Sequence, residues 1–241
     1  MARVGRRQPG DAHLVARPGR PTSVITPGLH RLDLGLDGGR DALLSVPPGY
    51  QPERPAPFVL SLHGAGGNET SGLYPLHDLA DEAGLILLSP ASRGPTWDAI
   101  RGGFGPDVAF IERALAVAFD RCAVDPARVA VAGFSDGGSY ALSVGLVNGD
   151  LFPWVMAFSP GFIVPSSQHG ARRFFVSHGT DDAVLPIDRT SRRIIPQLRD
   201  AGYEVRYQEF DGGHTVPREV ARDGLSWFLE GSSSPAWTPE P

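Results

Sequence analysis

Between residues 58 and 230, short apolar runs alternate with stretches in which apolar residues recur every three or four positions. Phe58 to Leu62, Leu85 to Leu88, Val129 to Ala132, Trp154 to Ser159, Phe174 to Ser177 and Tyr203 to Phe210 read as strands. The run Val129-Ala130-Val131-Ala132 has no polar alternation, so it predicts a strand buried on both faces. Val108, Ile111, Leu115, Ala118 and Cys122 lie on one face of a long helix, for which Asp107 stands as the expected cap. Val216, Val220, Gly224 and Trp227 mark a closing helix, and Leu73 to Ala83 an earlier one ended by Gly84. A further helix over about Asp188 to Ala201 carries Pro196, which predicts a kink or restart. Ahead of these, Leu29 to Leu36 and Ala42 to Val46 flank the turn Asp37-Gly38-Gly39 and read as a hairpin at a sheet edge. Strand and helix in alternation predict one α/β domain: a mostly parallel sheet covered on both faces, with reactive residues at the carboxyl ends of its strands.

The buried run ends abruptly at Gly133-Phe134-Ser135-Asp136-Gly137, and a segment with a small-residue face, Gly137, Ala141 and Gly145, follows. This is the pattern of a strand-to-helix turn that lifts a serine out of the sheet in a strained conformation, beneath the positive end of the next helix. A serine hydroxyl is a weak nucleophile and needs a base within hydrogen-bond reach and a third group to orient the base. Of the histidines at turns after strands, His63, His178 and His214, only His214 follows both Ser135 and a candidate acid. Asp181 and Asp182 both fit as that acid, and spacing does not choose between them. His178 is assigned to the structure of its turn, and His63 to the loop that binds an oxyanion. That loop, Gly64-Ala65-Gly66-Gly67, lets its backbone lie against a substrate carbonyl, so the amides of Ala65 and Asp136 are the candidate oxyanion donors. It lacks the lysine of a P-loop and the spacing of a dinucleotide fingerprint.

Composition narrows the chemistry further. All 22 basic residues are arginine, which removes a lysine Schiff base or catalytic lysine. The single cysteine excludes an internal disulfide, and Cys122 falls on an apolar stripe as a core residue. A net charge of −5 without long runs of one sign points to no nucleic-acid partner, and no apolar run approaches the ~20 residues that span a bilayer. Residues 1–24 hold five arginines with Pro and Gly but no apolar signal region, so they are expected to be a flexible tail. Residues 231–241 are expected to be another, with the folded domain over 25–230 and a cytoplasmic location by default.

Together, Leu-His-Gly-Ala-Gly-Gly (62–67), Gly-Phe-Ser-Asp-Gly-Gly (133–138), Ser-Pro-Gly-Phe (159–162), His-Gly-Thr-Asp-Asp-Ala-Val-Leu-Pro (178–186) and Gly-Gly-His-Thr-Val-Pro (212–217) carry a specific resemblance. Over about residues 42 to 230 the chain resembles the phospholipase/carboxylesterase group of the α/β-hydrolase family, whose relatives include acyl-protein thioesterases and feruloyl-type esterases. The resemblance implies a single-domain α/β-hydrolase fold. Its pattern His-Gly-x-x-Asp places the triad acid at the fifth position, which selects Asp182. Asp136 departs from the Gln or Asn that many relatives carry after the serine.

The expected activity is hydrolysis of a carboxylic ester through an acyl-serine, with Ser135 attacking, His214 moving the proton and Asp182 orienting His214. A thioesterase, acyltransferase or peptidase would use the same three groups, and a catalytically silent binding module is the alternative from another class. No metal or organic cofactor is implied, and the partner is a small-molecule ester. In the resembling fold a cap is usually inserted after the strand that follows the elbow helix. Here only Pro160 to Arg172 is available, so no cap domain is expected. An open site walled by the 89–106 loop, with Trp97, Phe104, Phe162 and Leu185 as apolar lining, favours short acyl or aryl groups.

Overall fold

The computed structural model describes residues 12–34, 39–164 and 173–231. An eight-stranded sheet forms the centre of the molecule. Its first strands, β1 (Gly28–Arg31) and β2 (Ala42–Val46), pair antiparallel, as the hairpin pattern predicts; the turn residues Asp37 and Gly38 lie outside the described residues. There follow β3 (Ala56–Leu62), α1 (His77–Ala83), β4 (Ile86–Pro90), the short α2 (Asp98–Arg101), α3 (Pro106–Arg121) and β5 (Val124–Phe134). The chain continues through α4 (Asp136–Val147), β6 (Trp154–Phe158), β7 (Arg173–Gly179), α5 (Ser191–Asp200), β8 (Glu204–Phe210) and α6 (Arg218–Gly231).

The strand order is β1-β2-β4-β3-β5-β6-β7-β8. Strand β2 meets β4 antiparallel, and every pairing from β4 to β8 is parallel. From β3 the chain moves one way to β4 and then returns across β3 to β5. The loops leaving β3 and β5 therefore diverge at a switch point, where an open α/β sheet forms its crevice.

Strand β5 shows why its run has no alternation. Val129 and Val131 enter the core beneath α3 and α4, while Ala130 and Ala132 enter a second core beneath α1 and α6, and all four are fully buried. Helices sit close to the sheet where glycine allows it. A Cβ on Gly145 would lie 2.5 Å from the Val155 side chain, and one on Gly224 would lie 3.0 Å from the Phe175 ring. Gly84, at φ +65°, ends α1 in the left-handed conformation expected of it. Among the described residues, no helix is long and apolar enough to cross a membrane.

Three expectations are corrected. Residues 12–23 of the expected flexible tail are docked: Ala12 and Leu14 are buried, the Leu14 amide donates to Asn148 Oδ1 at 2.6 Å, and Asn148 Nδ2 donates to the Ala12 carbonyl at 2.8 Å. The amides of Val15 and Ala16 donate to Glu112 of α3, and those of Thr22 and Ser23 to the Asp120 carbonyl. Two buried apolar side chains and this series of backbone bonds outweigh the composition of the segment. Gly231, the first residue of the other expected tail, is the last of α6, and residues 1–11 and 232–241 lie outside the described residues. Second, Asp107 does not cap its own helix. Its carboxylate accepts from the Asp98 amide at 2.7 Å and from the Arg93 amide, while Asp98 Oδ2 accepts from the amides of Gly105 and Asp107, both at 2.8 Å. The cap comes from the loop, and Asp107 organises the loop in return. Third, Trp97 and Phe104 are core residues, 0% and 6% exposed, so they line no open site. Trp97 stacks on Tyr140 at 4.9 Å and donates from Nε1 to the His63 carbonyl at 2.8 Å, and Phe104 packs on the edge of the same Tyr140 ring. Of the segment after β6, residues 160–164 run along α4, where the Val164 amide donates to Ser143 Oγ; residues 165–172 lie outside the described residues.

Candidate active site

The turn after β5 is close-packed at each glycine that brackets the serine. A Cβ on Gly133 would lie 2.2 Å from the Gly137 carbonyl oxygen, and one on Gly137 would lie 2.2 Å from that of Leu62. Only glycine at both positions lets the strand, the helix and β3 converge. Ser135 between them has φ +59° and ψ −120°, a conformation rare for any residue with a side chain and a mark of stored strain. Its amide donates to the Phe158 carbonyl at 2.9 Å, which ties the turn to β6, and its side chain stands at the amino end of α4.

His214 lies on the loop between β8 and α6. Its Nε2 is 2.8 Å from Ser135 Oγ, and its Nδ1 is 2.6 Å from Asp182 Oδ2. The Phe134 ring packs on the imidazole with centroids 4.7 Å apart. The loop after β7 and the loop after β8 meet at Gly179, where a Cβ would lie 2.3 Å from the Gly212 carbonyl oxygen. The Thr180 and Asp181 amides donate across to the carbonyls of Phe210 and Gly212, both at 2.9 Å. This lacing turns Asp182 inward, 4% exposed, while Asp181 is on the surface. It is the Asp182 carboxylate, therefore, that reaches His214.

Burial alone pushes the Asp182 carboxyl up, but the Leu185 amide, the His214 ring and the Val184 amide outweigh it and hold the group below the ordinary carboxylate range. Oδ1 accepts from the Val184 and Leu185 amides at 2.9 and 2.8 Å. The fully buried His178 stands behind Oδ2 at 3.2 Å. Its Nε2 must carry the proton, since it faces the Leu185 carbonyl at 2.8 Å, so Nδ1 accepts from Ser191 Oγ at 2.7 Å. Burial keeps this imidazole neutral by lowering its pKa.

On the opposite side, Gly64 backs onto the serine: a Cβ there would lie 3.4 Å from that of Ser135. The loop over residues 64–67 is held by bonds from the Gly66 amide to the Pro95 carbonyl, at 2.7 Å, and from the Gly67 amide to that of Gly64, at 3.1 Å. Buried His63 supports it from below. Its Nε2 accepts from the Ser92 amide at 2.9 Å, which leaves Nδ1 to donate to the Gly64 carbonyl at 2.7 Å; burial lowers its pKa as well. Ala65 and Asp136 thus sit on the two elements that flank Ser135, the first on this loop and the second at the start of α4.

Several contributors have no motif of their own. Arg40 ties the two loops together, donating from Nε to the Ser92 carbonyl at 2.6 Å and from Nη2 to that of Gly67 at 2.7 Å. Thr96 Oγ1 donates to Asp136 Oδ2 at 2.5 Å, and Tyr140 OH to Asp98 Oδ1 at 2.9 Å. Asp107, buried and beside Asp98, has its pKa pushed up to about 6 by burial and by its neighbour's charge, against the pull of the amides it accepts from. Of the expected apolar lining, Leu185 is half-buried and Phe162 is 37% exposed. Their loops meet where a Cβ on Gly161 would touch the Leu185 side chain at 3.3 Å. Among the described residues, no three His, Cys, Asp or Glu side chains are grouped to hold a metal ion.

The parallel sheet with its two antiparallel strands at one edge, the strained elbow after β5, and the acid and histidine loops after β7 and β8 define an α/β-hydrolase fold. No family model matches the chain. Its sequence is 29% identical over 175 residues to feruloyl esterase C of Emericella nidulans, covering 68% of this chain and 61% of that protein. It is 30% identical over 162 residues to a probable feruloyl esterase C of Aspergillus terreus, covering 62% and 57%. The chain thus spans about three fifths of the length of the curated relatives it matches. Solved structures that share the fold include a ferulic acid esterase from Anaeromyces mucronatus in complex with ferulic acid, with a TM-score of 0.61 at 19% identity over 79% of this chain and 84% of that one. Another is an S-formylglutathione hydrolase from Agrobacterium tumefaciens, with a TM-score of 0.65 at 17% identity over 84% and 94%.

Proposed function

We propose that this chain is a serine hydrolase of carboxylic esters that works through an acyl-serine. The observation that carries the reading is the continuous hydrogen-bonded series from Asp182 through His214 to Ser135, ending on a serine at φ +59°. Ser135 Oγ attacks the ester carbonyl while His214 Nε2 takes its proton, and Asp182 keeps Nδ1 protonated and stabilises the imidazolium that forms. The amides of Ala65 and Asp136 receive the oxyanion, the second with the partial positive charge of the α4 amino terminus behind it. His214 then protonates the leaving alcohol, and water enters by the same route to release the acid.

The substrate is an ester with a short acyl or an aryl acyl group. Among the described residues, Leu185, Phe162 and the exposed Val184 offer apolar surface on the loops beside the acid, which supports a short acyl or aryl group over a long chain that would leave most of its length in water. Similarity to proteins named feruloyl esterases supports an aryl acyl group on that surface.

The test is release of p-nitrophenol from esters of increasing acyl length by wild type and Ser135→Ala. Loss of several orders of magnitude in kcat is expected for the variant. Wild-type kcat/KM is expected to peak at acyl chains of about two to six carbons. An equally active Ser135→Ala overturns the nucleophile, and a kcat/KM that keeps rising to long acyl chains overturns the substrate class.

A further inference from the structure

Asp136 follows the nucleophile directly and places a half-buried carboxylate at the first position of α4. Consecutive Cα atoms are about 3.8 Å apart, so with the reach of the two side chains this charge lies within about 10 Å of Ser135 Oγ whatever its rotamer. Here the rotamer is fixed, because Oδ2 accepts from Thr96 Oγ1 at 2.5 Å, and the residue is only half-buried. The ion pairs among the described residues leave Asp136 out. The other acid beside the serine, Asp182, is buried beneath His214 and matched by it. Arg40, the cation bound to the oxyanion loop, directs Nε and Nη2 to the carbonyls of Ser92 and Gly67 rather than to Asp136. A carboxylate held in place by Thr96 therefore stands one residue from the nucleophile, on the element that also supplies the candidate oxyanion amide. Any charge carried by the substrate near its scissile bond meets this field in a partly desolvated crevice, where Coulomb terms are several times larger than in bulk water.

We infer that Asp136 sets the charge class of the substrate: the site takes neutral and cationic esters and rejects those with a carboxylate near the scissile carbonyl. The inference rests on the ester-hydrolase reading and deepens it. The Asp136 amide and side chain have separate tasks, the amide at the oxyanion and the carboxylate in selection, so a substitution that keeps the backbone separates them. A second unit charge about 10 Å away, at an effective dielectric constant near 20, changes kcat/KM by roughly tenfold.

The experiment compares p-nitrophenyl butanoate, p-nitrophenyl hemisuccinate and the p-nitrophenyl ester of γ-trimethylammoniobutyrate at low ionic strength. The ratios of kcat/KM are read for wild type, Asp136→Asn, Asp136→Glu and Thr96→Val. Wild type is expected to disfavour the hemisuccinate by about tenfold against the butanoate and to accept the cationic ester at least as well, with both differences shrinking in salt. Asp136→Asn keeps an acceptor for Thr96 but not the charge, and is expected to bring the ratios close to one. Asp136→Glu and Thr96→Val keep the charge and are expected to retain discrimination against the anion, which separates charge from placement of the Thr96 loop. A hemisuccinate ratio unchanged in Asp136→Asn, or a wild-type ratio near one, overturns the inference while leaving an active esterase. Absence of turnover on all three esters overturns the ester-hydrolase reading and this inference with it.

Discussion

Replacing Asn148 by alanine tests whether the amino-terminal arm is part of the folded unit that carries the nucleophile. Asn148 sits at the carboxyl end of α4 and is fully buried; its side chain bonds to the Leu14 amide at 2.6 Å, the Ala12 carbonyl at 2.8 Å and the Val144 carbonyl at 2.9 Å. If the arm stays docked in Asn148→Ala, two buried backbone groups lose their partners, at about 1–3 kcal/mol each. If instead it lifts away, the burial of the Leu14 side chain is lost, about 1.5–3 kcal/mol, together with the bonds from Val15 and Ala16 to Glu112. Both routes give a loss near 3 kcal/mol. For a domain of this size each kcal/mol moves the melting temperature by about 2–4 °C, so Tm should fall by roughly 10 °C. Scanning calorimetry reads the shift. Thermolysin, which cuts before residues such as Leu14 and Val15, should cleave the arm faster in the variant. A Tm within about 1 °C of wild type, with no faster cleavage, refutes the account of the arm as a structural clamp.

Two further outcomes follow from the geometry. Asp182→Asn should lower kcat by about 10⁴, because an amide cannot hold His214 in the required tautomer, while Asp181→Asn on the surface should change it little; steady-state kinetics on an activated ester ranks the two, and the reverse ranking refutes the assignment. Asp107 has a folded pKa of about 6 against an ordinary value of 3.8, so the stability it contributes is present below the ordinary value and lost as pH rises through about 6. Wild type minus Asp107→Asn should therefore fall by about 3 kcal/mol between acid and neutral pH in urea titrations, and a constant difference refutes the raised pKa.

Where the sequence was legible, one physical signal dominated. Strand β5 reads correctly because a parallel central strand has no polar face, and its valines and alanines serve two cores at once. The elbow reads correctly because Gly133 and Gly137 answer a steric demand that no other residue meets. The arm misleads because five arginines and several prolines in residues 1–24 describe a solvated tail, while the contacts that dock it come from Asn148 and Glu112, more than ninety positions away. Trp97 and Phe104 mislead for a related reason. An aromatic residue in a loop rich in Gly and Pro suggests an exposed wall, yet this loop folds inward around the Asp98–Asp107 exchange and buries both rings on Tyr140. The roles of Arg40 and Thr96 depend on bonds to backbone carbonyls and to a neighbouring carboxylate, which leave no periodicity to read.

The base is mounted differently from the nucleophile and the acid. Ser135 leaves a strand held on both sides, whereas His214 follows β8, the last strand of the sheet, which among the described residues pairs only with β7 and whose residues are half-buried or exposed. Local opening in folded proteins starts at such margins, well below the free energy of global unfolding. The Gly179–Gly212 contact joins the histidine loop to the acid loop, which leaves β7, a strand paired on both sides, so the buried acid is what ties the histidine to the interior. Esterase activity is therefore expected to be lost on warming before the central strands melt, and to return on cooling, when activity and far-UV circular dichroism are followed in parallel.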